Sequence, residues 1–399
     1  MKKSHGDRVL FLMVVLLALF GLVMITSIGV PKSIQLSAPN ILYPNCNDPK
    51  VDCYLIFKNH LLRLVVGSIL LFITMRIPYR FWKKMSVFFF VLSVIALFTV
   101  LIIGAKYTTF AKSWFIFFNT SFQPIEFAKL ALVFYLANWM ERKSKHVESF
   151  EYGFLPFCIV TGVFILPILL QPDLGGTLVV SAIAVTMFFA GGARLRHLAL
   201  GGFVALLASF LIVANVTHVK NRFQAFTATD KNCREDYCWQ SVQANIAVGS
   251  GGFWGKGLTQ GVQKSYWLPQ ASDDFIFAAS AEELGFLRIV FIIIAYTVIA
   301  YRGFRIAINA PNRFMMLTAV GITTWLTMQA FMNIAVNIAL MPVTGLTLPF
   351  VSYGGSSLLS AMIATGVLLH ISKYIPEYAN SFERRGNRGT YYSQYRHSS

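Results

Sequence analysis

The sequence predicts an all-α protein that crosses a membrane about ten times, and three observations carry that expectation. Of 399 residues, 56% are hydrophobic and only 13% charged, about half the charge of a soluble domain. Apolar runs of about 20 residues, long enough to cross a hydrocarbon core, recur from end to end. Lys and Arg collect in the short loops on one side of those runs, as the positive-inside rule requires. The net charge of +17 is therefore a topology signal, and no nucleic-acid partner is expected.

The first span covers 9–30. MKKSHGDR followed by LFLMVVLLALFGLVMI has the outline of a signal peptide. Its apolar core is too long, however, and no small-residue cleavage site follows, so the segment is read as retained. Further spans are expected at 61–76, 85–103, 125–140, 154–171, 175–192, 198–216, 276–301, 315–338 and 356–373. Arg76, Arg80, Lys83 and Lys84 lie in the first inner loop. Arg142, Lys143 and Lys145, then Arg194 and Arg196, then Arg302, Arg305 and Arg313 follow in the others. An even number of spans puts both termini in the cytoplasm. Residues 1–375 read as a single transmembrane domain, and 376–399 as a polar, disordered cytoplasmic tail.

Residues 31–60, 104–124 and 217–275 form the longer outer loops. The last, between the seventh and eighth spans, far exceeds an ordinary connection. It carries Trp239, Trp254, Tyr266 and Trp267 among many glycines, a composition expected to fold onto the membrane face. Cys46 and Cys53 lie in the first outer loop, and Cys233 and Cys238 in the largest. Two close pairs on one side, without the His or further Cys that a metal site needs, read as local disulfides in an oxidising space.

Charges within spans mark functional sites by default. In QPIEFAK, Glu126 and Lys129 share a helical face, either as an ion pair neutralising both at the membrane edge or as a substrate contact. Asp173 in QPDLGG reads as a helix cap. LPQASDDFIFAASAEELGF holds the densest carboxylate cluster of an acid-poor chain. Asp273 and Asp274 sit where the large loop meets the eighth span, and Glu282 and Glu283 lie about two turns further in. Burial and like charge should raise a carboxyl pKa there, as a general base working near neutral pH needs. A P-loop is excluded: Ser250 and Gly257 occupy the positions around Gly255-Lys256 that need Gly and Ser/Thr. The scattered His residues form no zinc pattern, and the serines of VSYGGSS have no His or Asp beside them. Those read as small residues for close packing and turns.

In this order, SWF, QPIEFAK, QPDLG, LPQASDDFIFAASAEELGF and PVTGLTLPFVSYGGSS resemble the SEDS family of bacterial cell-wall proteins (FtsW, RodA, SpoVE), along essentially all the spans. TGLTLPFVSYGGSS is more similar to the division branch (FtsW) than to the elongation branch (RodA). The resemblance implies a peptidoglycan glycosyltransferase that polymerises lipid II at the outer face of the cytoplasmic (inner) membrane. It implies that Asp274 is the essential aspartate of the DFIF segment. Trp114, Glu126 and Lys129 fall on functionally sensitive positions, Glu283 on the second Glu of EELG, and Lys264 on the Lys of a QK segment. Arg222 falls on a basic position opening the large loop. With Asp273, these form the expected substrate-binding set.

The chain departs from the family at Gly176, where Thr is usual, and at Asp273, often Thr in relatives. Arg288, in a segment normally small and apolar, and the loop cysteines are further departures. Asp274 is expected to take the proton of an acceptor hydroxyl in an inverting displacement, with Lys129, Arg222 and Lys264 facing the leaving diphosphate. The cofactor expected, if any, is a divalent cation, Mg2+ or Mn2+. Expected partners are lipid II, a class B penicillin-binding protein transpeptidase, divisome proteins and membrane lipids. A lipid II flippase and a division scaffold are the rival functions; no paired broken helices or internal repeat are evident in the sequence for the first.

Overall fold

The structure, a computed structural model, describes residues 6–39, 46–106, 112–117, 120–215, 219–220, 222, 226 and 236–375. The tail expected to be disordered therefore lies outside the described residues. Helix α1 spans Arg8–Ile28, and a short α2 covers Val30–Ser37. Then come α3 (Leu55–Thr74), α4 (Tyr79–Ile103), α5 (Pro124–Arg142), α6 (Leu155–Leu170), α7 (Leu174–Ala190) and α8 (Leu195–Asn215). The chain continues through α9 (Asp236–Gly251), α10 (Ile276–Ile308), α11 (Arg313–Asn337) and α12 (Gly355–Ser372). Helices α1, α3–α8 and α10–α12 coincide with the ten expected spans. Seven of these are long and apolar enough to cross a membrane by length and composition alone, and α7 is a shorter apolar helix.

Inside a bilayer the backbone must satisfy its own hydrogen bonds, so the spans are helices and their ends matter most. Asp7 caps α1 by accepting from the N–H groups of Val9 and Leu10. Pro124 opens α5, where a missing N–H costs nothing. Asn312 accepts from Met315 N at the start of α11. The two ends of the described chain meet: Asp7 N donates to Ser372 Oγ at 2.9 Å, and Arg302 Nε donates to Asp7 Oδ2 at 2.8 Å. Both lie at one end of the bundle, as an even number of spans demands.

Helices α11 and α12 are mostly buried and form the centre, whereas α3 and α4 are mostly exposed at the periphery. Around α11 pack α10, α7 and α5, and α12 packs on α3. Aromatic stacking joins α4 to its neighbours, with Trp82 over Phe134 and Phe90 over Tyr135.

Four features were not legible in the sequence. One is α2. Another is a small antiparallel sheet of β1 (Ala105–Lys106), β2 (Lys112–Phe117) and β3 (Thr120–Phe122). The third is α9, which packs on α10. The fourth is a break within one helix. Gly285 sits inside α10 with φ +77°. There the backbone N–H groups of Lys256 and Gly257 bond the carbonyls of Glu282 and Glu283, and those of Phe286 and Leu287 bond Gly252 and Phe253. The Gly-rich GSGGFWGKG segment thus completes the backbone pairing that the break exposes. A Cβ on Gly285 would lie 2.2 Å from Gly255 N, so both glycines are required by close approach.

Candidate functional site

Asp274 sits at the loop end of α10, opposite the bundle end that carries Asp7 and Arg302. Its backbone carbonyl is held by two asparagines one turn apart on α11, Asn333 Nδ2 at 2.7 Å and Asn337 Nδ2 at 2.9 Å. Asn337 Oδ1 also accepts from Ala278 N at 2.9 Å, which caps the start of α10. Sequence reasoning missed both. The signal was two Asn at i and i+4 on a buried helix, where each needs a partner.

Three motifs distant in sequence converge here. The QPDLGG turn between α6 and α7 presents Asp173, whose side chain caps α7 by accepting from Gly176 N at 2.7 Å. Gly175 lies against Thr344 and Leu346 of the α11–α12 connection. In that connection, Gly345 Cα is so near Asp274 that a Cβ would lie 3.7 Å from its Oδ2. Arg222 donates to Val343 O at 3.2 Å, and its charge acts on both Asp274 and Asp173.

The Asp274 carboxylate makes no hydrogen bond or ion pair among the described residues, although it is only partly exposed. Burial first, and the neighbouring Asp273 second, push its pKa up to about 7. Lys32 and Arg222 pull against that shift, and Asp173 adds to it. Asp273 differs: its carboxylate is paired with Lys32 on α2 and lies 3.4 Å from Ser272 Oγ. Burial raises the Asp273 pKa as well, opposed by Lys32, Ser272 and Arg63. Lys32 Nζ lies 5.5 Å from the Tyr353 ring centroid, and the Arg63 guanidinium 4.7 Å from it. Arg63 has no carboxylate partner among the described residues. Lys32, Arg63 and Tyr353 were also missed, since three residues on α2, α3 and the α11–α12 connection share no sequence pattern.

The other expected residues lie elsewhere. Glu283 is fully buried and accepts from Lys264 Nζ (2.6 Å), Ser27 Oγ (2.8 Å) and Thr259 N (3.2 Å). Glu282 accepts from Lys256 Nζ (2.7 Å) and from Val262 N and Gln263 N (both 3.0 Å). The dense acidic cluster therefore resolves into one pair at the site and one pair that fastens the large loop to α10. Glu126 and Lys129 form the buried intrahelical pair, at 2.9 Å. Lys129 Nζ also donates to Gln329 Oε1 at 2.7 Å and lies 4.9 Å from the Trp325 ring, and Ser360 Oγ donates to Glu126. That network ties α5, α11 and α12 together and leaves the ammonium buried. Trp114 lies on β2, paired with Ala105, and is partly buried.

Cys46 and Cys53 form a disulfide. Cys238 is also disulfide-bonded, while Cys233 lies outside the described residues. Among the described residues no group of three or more His, Cys, Asp or Glu side chains is arranged to hold a metal.

The sequence profile of the FtsW/RodA/SpoVE family, described as "Cell cycle protein", matches residues 7–376. The chain belongs to this SEDS family. A relative from Trichlorobacter lovleyi, named probable peptidoglycan glycosyltransferase FtsW, is 37% identical over 92% of this chain and 93% of its own length. Stage V sporulation protein E of Bacillus subtilis is 36% identical over 94% of this chain and 98% of its own. Among solved structures, a chain from a peptidoglycan synthase complex coordinating polymerization and crosslinking superposes with a TM-score of 0.73. It is 26% identical over 93% of this chain and 99% of its own. The rod shape determining protein RodA of Thermus thermophilus gives 0.66 at 26% identity, covering 93% and 98%. Membership of this family and the apolar helices make this chain a multi-pass membrane protein.

Proposed function

We propose that the chain is a peptidoglycan glycosyltransferase that polymerises lipid II, with Asp274 as its general base. One observation carries the reading. Of four carboxylates at the start of α10, Asp274 alone keeps its oxygens without a partner among the described residues, and its pKa is pushed to about 7. A base works best when its pKa lies near the operating pH. The named activity of the relatives supports the same reaction.

In the proposed step, Asp274 removes the proton of the acceptor sugar's 4-hydroxyl as that oxygen bonds to the donor's anomeric carbon. The bond from that carbon to the diphosphate oxygen breaks, and undecaprenyl diphosphate leaves from the opposite face. The proton rests on Asp274 and passes to water or to the departing diphosphate. One base serves such an inverting displacement, since the diphosphate leaves without a second carboxylic acid to protonate it. The developing charge on the diphosphate needs cations. The charges of Arg222, Lys32 and Arg63 act on the two aspartates, whereas Lys129 and Lys264 are held in pairs with Glu126 and Glu283. Mg2+ or Mn2+ arriving with the diphosphate belongs to the proposal as a counter-ion of the substrate.

The site end is proposed to face the outside of the cytoplasmic membrane, supported by the disulfide beside α2 and by the basic residues at the other end. Both termini are then cytoplasmic. A class B penicillin-binding protein transpeptidase and divisome proteins are the proposed partners. The first rests on the synthase-complex neighbour, and a role in division on the FtsW-named relatives; elongation is the alternative role. A lipid II flippase is the second reading. The break of α10 favours it, because discontinuous helices line transport paths, yet loop backbone fills that break.

The test gives fluorescent lipid II to the full chain in liposomes, with its transpeptidase, beside Asp274→Asn. Glycan ladders from wild type alone support the reading. Lipid II crossing the bilayer without ladders, unaffected by Asp274→Asn, would replace it with the flippase.

A further inference from the structure

We infer that Lys32 is a positioning residue for Asp274, held in place by the Cys46–Cys53 knot, and that its pairing with Asp273 leaves Asp274 as the one carboxylate available to take a proton. The inference rests on the reading of Asp274 as the base.

Helix α2 has eight residues, too few to persist in water on its own. What steadies it is the disulfide-closed turn. Val30, Ile34 and Ala38, at i, i+4 and i+8 on one face, pack on Val51 and Cys53. Two hydrogen bonds fix the register, Asp52 N to Ser37 Oγ and Ile56 N to Ser33 Oγ, both at 3.1 Å. The turn is thus a platform, and α2 an arm laid across it. From that arm Lys32 reaches Asp273 and the Tyr353 ring. The far side of the contact is fixed as well, because Tyr353 N donates to Ser272 O at 2.9 Å. The platform carries no other polar contact to the site among those described.

Two adjacent carboxylates in a water-poor site compete for one proton, and whichever lacks a cation holds it. The charged groups acting on Asp274 come from four directions: Asp273 beside it, Lys32 on α2, Asp173 at the α6–α7 turn and Arg222 ahead of α9. Arg63 on α3 acts on Asp273. Among the described residues Lys32 is the one cation in direct contact with Asp273, so it decides which aspartate stays ionised and which one titrates. Asp273 and the disulfide-closed turn are thereby parts of one device.

The experiment is the pH dependence of glycan polymerisation by the full chain in liposomes. For Lys32→Met the acid limb should move upward by about one pH unit, since Asp274 loses a cation and faces an unpaired neighbour. Asp273→Asn should move it the opposite way, because the like charge is gone and Lys32 turns to Asp274. Lys32→Arg should restore the wild-type limb. The double variant Cys46→Ser with Cys53→Ser should shift in the same direction as Lys32→Met. A uniform loss of rate in Lys32→Met with an unmoved limb, or an upward shift in Asp273→Asn, overturns the inference. If Lys32→Met does not fold, the sign of the Asp273→Asn shift decides by itself. Failure of the underlying reading is distinguishable: Asp274→Asn would then polymerise like wild type, whatever the limbs do.

Discussion

Asp273–Asp274 and Glu282–Glu283 are two pairs of adjacent carboxylates at the start of the same helix, and the fold uses them in opposite ways. The glutamates are saturated: two lysines, three backbone N–H groups and Ser27 converge on them. The aspartates are unequal, one paired with Lys32 and the other with no partner among the described residues. Saturated carboxylates cannot accept a further proton donor without breaking what they hold, so their work is to fasten the loop. An unsatisfied carboxylate beside cations is available for chemistry. Carboxylate density in sequence identified the region, and hydrogen-bond accounting divides it.

The largest expected effect tests that division directly. Asp274→Asn keeps the shape and removes the base, so the polymerisation rate should fall by about 10² to 10⁴-fold with unchanged elution and helix content. Glu283→Gln should instead retain activity per folded molecule. A glutamine variant as inactive as the asparagine one, at undiminished stability, would break the comparison.

Next is the cost of opening the saturated pair. Glu283→Ala strands Lys264, whose side chain is 9% exposed, and leaves Ser27 without its acceptor. Removing one partner of a buried pair costs about 3–5 kcal/mol, readable as a lowered midpoint of thermal unfolding in detergent. Glu126→Ala should behave alike, since Lys129 would stay buried without its carboxylate.

The sequence was more informative about the bundle than about the site, for a physical reason. Spans announce themselves by local composition, because each must satisfy a uniform solvent, and all ten appear as helices. Asp173 as a cap, the Glu126–Lys129 pair and the Cys46–Cys53 disulfide were legible because their partners lie close along the chain. Lys32, Arg63 and Tyr353 were not, because the contacts that make them matter join α2, α3 and the α11–α12 connection to the start of α10. The break at Gly285 was hidden similarly. EELGF reads as continuous helix until GSGGFWG is seen to supply its missing backbone partners. Lys264 and Glu283 meet across the large loop, a contact that neither motif signals.

A smaller effect probes that break. Gly285→Ala puts a side chain at φ +77°, with its Cβ 2.2 Å from Gly255 N. The backbone strain alone is about 1–3 kcal/mol, and the loop must lift for the clash to ease. Limited proteolysis should then cut within residues 252–270 of the variant before it cuts wild type. Equal protection in the two would mean that the loop is held by Glu282 and Glu283 without help from the paired backbone.

The smallest effect separates the two carboxylate pairs by the sign of a stability change. Asp274 has a folded pKa of about 7, above the ordinary carboxylate value of about 3.9. Between those values the folded state binds more protons than the unfolded one, so stability falls as pH rises through that window and levels off above it. Asp274→Asn removes the titrating group. Its unfolding midpoint should match wild type near pH 4, rise above it by a widening margin up to pH 7, and keep that margin beyond. Glu283→Gln, which loses an ionic partner of Lys264, should be less stable than wild type at pH 7. Midpoints moving in opposite directions at that pH would distinguish a carboxylate that the fold tolerates for chemistry from one on which it depends for its shape.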